Sequence, residues 1–388
     1  MRIGILTGGG DVPGLNSVIK SVVYRATELG ADVLGIRRGW KGLTHVQTGS
    51  DLDSDYVRPL DRQNTRSIDR TGGTVLHTSR TNPRHMAAAA LPAHLPGSEL
   101  ERYRVEDGSY DLTPLVLRNL EGLGIDHLVA IGGDDTLGFA QVLAARGVRV
   151  VGIPKTMDND VRGTEYCIGF STAITRAMEA IDRQRTTLGS HERIGIFRIF
   201  GRDSGFTALH TAYVTSARCL IPEAPFDLDR LVATLLQDKR DNPSGYAFVV
   251  CAEGAIWTGG TLPEVGPADA FGHRKKADIG QALAEEIRRR TGEDVLVSEL
   301  TYDLRSGSPD SFDQMVATTY ANLAVDLIAG GVSGRMVGIL DGRYTHSPFQ
   351  PGSRRVDVAR QYNAERFRPQ YAGRLGTSIW MERSGIAT

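Results

Sequence analysis

Apolar runs of four to six residues recur along the chain, and most are followed by a polar or glycine-rich break. Such runs predict buried strands over 3–6, 33–36, 127–131, 148–153, 194–199, 247–251, 295–300 and 336–340. Between them, apolar positions three and four apart predict helices over 15–29, 115–123, 137–145, 172–188, 277–290 and 314–329. Strand, loop and helix in repetition argue for parallel sheets with helices on both faces. At 388 residues the chain is long for one hydrophobic core. The expectation is therefore an α/β protein with two doubly wound, Rossmann-like domains.

The pattern breaks in three places. Over 85–111 four alanines are followed by Pro92 and Pro96, which reads as a short helix on an excursion beside the site. Residues 254–275, rich in Gly and Pro, read as a long loop, and the arginine-rich tail reads as a surface segment without chemistry. Forty-five Lys and Arg stand against 46 Asp and Glu, so no overall field points to nucleic acid or membrane, and any anion site must be local. The three cysteines are far apart and form no zinc or disulfide motif, which fits a reducing cytoplasm. No run reaches the length of a membrane span or a signal peptide.

Chemistry concentrates where the predicted strands end, as it does in open α/β sheets. After the first strand come Gly8, Gly9, Gly10 and Gly14, where bare backbone N–H groups can approach an anion, although the same glycines also suit a plain tight turn. The second ends at Trp40, which either stacks on a ligand or caps the core. Thr78 and Ser79 put hydroxyls beside Arg80, a set suited to phosphate oxygens. Asp134 and Asp135 follow Gly132 and Gly133 and precede Thr136; adjacent carboxylates imply either Mg²⁺ held between protein and phosphates or two solvated aspartates. The densest stretch is 154–160, where Lys155, Thr156, Asp158 and Asp160 follow a buried run. Alone, that heptad is also matched by a polar surface loop with an Asx turn.

Taken together, GGGDVPGLN, GGTVLHTSR, GGDDT, PKTMDND, IGF, HERIGIFRIFGR, IPE and YDLRSGSPDSFD resemble the phosphofructokinase family in order and spacing over about residues 1–345. GGDD and PKT resemble its pyrophosphate-dependent branch. The resemblance implies two domains with the active site in the cleft between them: a donor domain over 1–169 plus 304–354, and a sugar-phosphate domain over 170–303 plus 355–388. It implies Asp158 as the base for the sugar 1-hydroxyl, with Thr156, Asp160 and Arg202 completing the catalytic set, and Asp134 holding Mg²⁺. Gly9, Gly10, Thr78, Ser79, Arg80, Asp135, Thr136 and Lys155 would surround pyrophosphate, Asp135 occupying the space an ATP α-phosphate needs. Thr156, Asp158, Arg193, Phe200, Gly201, Arg202, Glu223, Tyr302 and Arg305 would face the sugar phosphate, Arg193 from a neighbouring subunit of a homodimer or homotetramer.

The sugar side departs from the family form. Tyr302 stands where histidine is usual, Leu304 where glutamine is, Phe200 where methionine is, and Leu296 aligns with an expected arginine. The implied activity is reversible, Mg²⁺-dependent phosphoryl transfer from pyrophosphate to fructose 6-phosphate. Use of ATP, preference for sedoheptulose 7-phosphate, or a regulatory subunit without activity are the alternatives.

Overall fold

A computed structural model describes residues 1–49, 53–259, 264–265, 275–276 and 278–373. The main strands are β1 (Arg2–Thr7), β2 (Asp32–Ile36), β3 (Val57–Leu60), β4 (His127–Gly132), β5 (Val150–Pro154), β6 (Ile194–Ile199), β7 (Arg218–Leu220), β8 (Ala247–Ala252), β9 (Val295–Leu300), β10 (Arg335–Leu340) and β11 (Arg343–Pro348). They form a seven-stranded sheet in the order β11-β10-β5-β4-β1-β2-β3 and a four-stranded sheet in the order β9-β6-β8-β7. All pairs in the smaller sheet are parallel. In the larger one only the edge strands β3 and β11 run antiparallel. Both sheets bear out the expected parallel-rich α/β class.

The two edge strands are absent from the sequence expectation, and for one physical reason. Inner strands such as β4 are buried along their whole length and read as continuous apolar runs. An edge strand needs no such run: β3 contains Pro59 with only its end residues buried, and β11 is RYTHSP.

The main helices among the described residues are α1 (Leu15–Glu28), α2 (Trp40–His45), α3 (Thr113–Gly122), α4 (Asp134–Ala145), α5 (Phe170–Ser190), α6 (Phe206–Thr215), α7 (Leu228–Asp241), α8 (Ile279–Thr291) and α9 (Ser311–Ala329). Three of them, α2, α6 and α7, are unforeseen. In α6 the buried set runs from Phe206 through Ala212 without a polar face, so the three-and-four rhythm is missing. Residue 277, the expected start of α8, and 260–263 and 266–274 of the expected loop lie outside the described residues.

The largest apolar cluster contains Ile3 and Ile5 of β1 together with Phe197, Ile199 and Val250 of the smaller sheet. Residues from both sheets thus meet in one core, and each sheet has a further cluster of its own. Trp40 takes its structural option: it is 1% exposed and packs edge-on to Phe139 at 4.9 Å. The excursion forms a 3₁₀ turn at Ala88–Ala90 and a short helix at Gly97–Leu100, with a small core around Met86, Tyr110, Leu112 and Leu115.

The tail reading needs correction. Phe367 and Tyr362 are buried, the Cys219 N–H donates to the Phe367 carbonyl, and the Tyr362 hydroxyl donates to the Cys219 carbonyl. The described part of the tail therefore covers the exposed edge of β7, a place where unpaired strand groups would otherwise stand. Residues 374–388 lie outside the described set. Among the described residues no helix is long and apolar enough to cross a membrane.

Candidate active site

The loops after β1, β3, β4 and β5 of the larger sheet and after β6, β7 and β9 of the smaller one supply the expected site residues other than Arg193. On the donor side the glycine turn is built by short bonds. The Gly9 N–H donates to the Ser79 carbonyl (3.0 Å), and the Thr78 hydroxyl donates to the Gly9 carbonyl (2.6 Å). Gly9 has φ 78°, a conformation glycine adopts without strain. Ser79 donates to the Arg38 carbonyl (2.7 Å), so the protons of both hydroxyls are committed to shaping the loop. Thr136 is a buried wedge: a Cβ at Gly8 would stand 2.5 Å from its hydroxyl, and one at Gly132 2.3 Å from its own Cβ.

Lys155 is 3% exposed, and its ammonium donates to the Gly10 carbonyl at 2.5 Å. Burial lowers its pKa to about 8, with Asp11 opposing and Arg305 and Arg80 reinforcing the shift. A buried cation among other cations is costly unless an anion joins it. Asp134 and Asp135 open α4 in its first turn, Asp134 half-buried and Asp135 exposed.

The heptad loop is tightly held. Asn159, at φ 52°, accepts from the Cys167 N–H (2.8 Å) and donates to the Glu165 carbonyl (2.9 Å). Thr207 of α6 donates to the Met157 carbonyl at 2.8 Å. Thr156 accepts from the Asp158 N–H at 3.1 Å. Within this frame Asp158 Oδ1 is closed to solvent and has no hydrogen-bond partner. Burial, then the charges of Asp160 and Glu253, hold Asp158 well above the usual carboxylate range, against Arg202 and Arg305. Asp160 rises to about 6, chiefly through burial, with Asp134 and Asp203 adding to the effect. Asp134, Asp158 and Asp160 thus belong to one electrostatic group.

On the acceptor side, Arg305 lies over the rings of Tyr302 (4.7 Å) and Phe200 (5.3 Å), which meet edge to face at 6.1 Å. Its guanidinium also reaches the donor turn, 2.8 Å from where a Cβ on Gly10 would stand. Arg202 donates to Asp203 at 2.7 Å, and Gly201, at φ 131°, has no room for a side chain beside the Ser204 carbonyl. Glu223 accepts from the Gly205 and Val356 N–H groups through Oε1, while its buried Oε2 has no partner. Gly72, at the head of the 72–84 segment, is so close to the turn after β9 that a Cβ there would lie 1.9 Å from the Gly307 carbonyl oxygen.

A phosphofructokinase family model matches residues 2–328. The chain belongs to the phosphofructokinase family. It is 39% identical to the pyrophosphate–fructose 6-phosphate 1-phosphotransferase of Amycolatopsis methanolica, over 87% of this chain and 90% of that protein. Similarity to ATP-dependent 6-phosphofructokinase 3 of Streptomyces coelicolor is almost the same, 38% over 87% and 90%. A pyrophosphate–fructose 6-phosphate 1-phosphotransferase of Thermoproteus tenax is 36% identical over 99% of this chain and 100% of that protein. The pyrophosphate-dependent phosphofructokinase of Nitrosospira multiformis shares the fold with a TM-score of 0.74 at 17% identity, over 98% and 92% of the two chains.

One expected residue of this phosphofructokinase lies apart from the others. Arg193 stands before the N-terminal end of β6 and pairs with Asp294 at 2.5 Å, whereas Phe200–Asp203 follow the opposite end, about 20 Å along the strand. Other residues of the site escaped the sequence. Arg354 donates to the carbonyls of Thr164 (2.6 Å), Asn159 (2.7 Å) and Glu165 (3.3 Å), and packs over the Phe206 ring at 4.6 Å. Its own N–H donates to the Asp160 carbonyl. Asp313, fully buried at the start of α9, accepts from Tyr166 (2.6 Å) and from the Gly169 (2.7 Å) and Thr172 (2.8 Å) N–H groups at the N-terminus of α5. Arg354 has no local pattern that marks it, and Asp313, though it ends the YDLRSGSPDSFD motif, shows nothing in sequence of what it binds, because each acts on segments more than a hundred residues away.

Proposed function

We propose that the chain transfers a phosphoryl group from pyrophosphate to the 1-hydroxyl of fructose 6-phosphate, in both directions, giving fructose 1,6-bisphosphate and orthophosphate. The observation that carries the donor assignment is Lys155, a buried ammonium seated on the glycine turn. Relatives named for either donor match equally well, so overall identity does not decide. A small tetra-anion offsets the cost of that cation. Asp135 at the head of α4 takes up space and adds charge where a longer nucleotide would run.

Asp158 is the base. Its raised proton affinity and its partnerless Oδ1 suit it to accept the hydroxyl proton as the sugar oxygen attacks phosphorus and the bond to orthophosphate breaks. Arg202 and Arg305 neutralise charge on the acceptor side, and Glu223 Oε2 receives a sugar hydroxyl. Among the described residues no three His, Cys, Asp or Glu form a metal-binding group. Mg²⁺ suits the site nonetheless, because it binds through one or two carboxylates together with substrate phosphates. Asp134 would hold it with Asp160 nearby, and the ion would supply charge neutralisation on the transferred group. The further elements of the proposal are a donor domain over 1–169 plus 304–354, a sugar domain over 170–303 plus the tail, a cytoplasmic homo-oligomer, and Arg193 serving the site of an adjacent copy.

The test is the initial rate with Mg²⁺ and fructose 6-phosphate, with pyrophosphate or ATP as donor, repeated with sedoheptulose 7-phosphate. Turnover with pyrophosphate and not with ATP is expected. Turnover with ATP alone overturns the donor assignment, and a higher kcat/KM for the seven-carbon sugar reassigns the acceptor.

A further inference from the structure

A second anion-receptive place lies between the tail and the smaller sheet. A cavity of about 510 Å³ is lined by Arg218, Thr234, Glu365, Arg366, Arg368 and Tyr371, among others. That volume falls within the range of small-molecule sites. Arg218 is already neutralised, because Asp238 receives its guanidinium through two bonds of 2.6 and 2.7 Å. Arg366 and Arg368 differ: among the described residues neither guanidinium has a carboxylate partner. Among the described residues the Arg368 Nε is buried with no acceptor. A guanidinium cannot shed its proton to escape burial, so an uncompensated donor of this kind is relieved only by an incoming acceptor.

The surroundings limit what that acceptor is. Among the described residues Glu365 is the only acid in the lining, so the two arginines make this lining net positive. At the rim the Tyr371 ring stacks on Tyr213, centroids 5.1 Å apart at 30°, and so offers an aromatic face beside the cations. The backbone here is fixed: Arg218 donates to the Arg366 carbonyl at 2.7 Å, and the Gln370 N–H donates to the Gln361 carbonyl at 2.7 Å. The place is distinct from the catalytic cleft, since Arg218 begins β7 whereas Glu223 follows its other end.

We infer that the cavity between the tail and β7 binds a phosphate-bearing small molecule, its phosphoryl oxygens on Arg366 and Arg368 and its organic part toward Tyr371. The experiment is equilibrium dialysis of the full chain with labelled inorganic phosphate at constant ionic strength. Phosphate is expected in two places, the catalytic cleft, on its donor and acceptor sides, and the cavity, one per chain. Arg366→Gln with Arg368→Gln removes the second while leaving turnover unchanged; Lys155→Met weakens the first and leaves the second. Should the double variant fail to fold by circular dichroism, Arg366→Gln alone, at an exposed position, weakens the second site several-fold. Unaltered binding in the arginine variants, or no phosphate retained once the cleft site is lost, overturns the inference, and neither outcome depends on which donor the enzyme uses.

Discussion

The proposed donor and acceptor sides of the cleft are prepared in different ways. On the donor side the protein has already spent its bonds: Thr78, Ser79 and Lys155 all donate to backbone carbonyls and fix a glycine turn. On the acceptor side the polar atoms are waiting, with Asp158 Oδ1 and Glu223 Oε2 buried and unmatched, and Tyr302 is 64% exposed. A small, symmetric anion needs a rigid cradle and little else. A sugar must be told from its neighbours, so its hydroxyls supply bonds the protein leaves unmade, and discrimination rests on side chains.

Removing the proposed base gives the largest expected effect. Asp158→Ser lowers kcat by about 10³-fold, within the usual range for general-base loss, with little change in the dissociation constant of the sugar phosphate. Retained turnover in that variant would falsify the assignment. Lys155→Met comes next: loss of a charged hydrogen bond raises the KM for pyrophosphate by roughly 10–100-fold and spares that for the sugar. With Lys155 lowered to about 8, its cation is present below that pH and lost above it. In the wild type, kcat/KM for pyrophosphate therefore declines as pH rises through about 8, and the Lys155→Met profile lacks this limb.

Arg354 tests whether the two sides are coupled through the heptad loop. Arg354→Met removes a donor from the Thr164 and Asn159 carbonyls and leaves the Glu165 carbonyl to Asn159 alone, and kcat drops about tenfold with both KM values nearly constant. Equal changes in KM and kcat would place Arg354 outside this role. Smallest is Tyr302→His, which changes the ratio of kcat/KM between fructose 6-phosphate and sedoheptulose 7-phosphate by a few-fold while donor kinetics stay fixed. A change in pyrophosphate KM there would blur the division between the sides.

The sequence revealed the inner strands and the loops after them because both are local signals: an apolar run, then glycine or aspartate. It revealed the glycine turn and the heptad for the same reason. What it hid acts at a distance. Arg354 reads as one more arginine at the edge of the tail until its contacts with 159–165 are seen, and Asp313 reads as a helix-start acid although it serves a different helix. The shared core has the same cause, since no periodicity says which faces of α5, α6 and α9 will meet. Phe367 was obscured by charged neighbours, and burial of one residue in a polar stretch leaves no period to detect.

The contact between Gly72 and Gly307 limits how this chain can vary. With 1.9 Å between a prospective Cβ and a backbone oxygen, no rotamer change relieves the clash, and even alanine at position 72 would have to push the turn after β9 away. That turn follows Arg305, so such a variant would shift the guanidinium that lies over Tyr302 and Phe200 and reaches the glycine turn. A saturation library should therefore return glycine alone at position 72, although the residue touches no reacting atom.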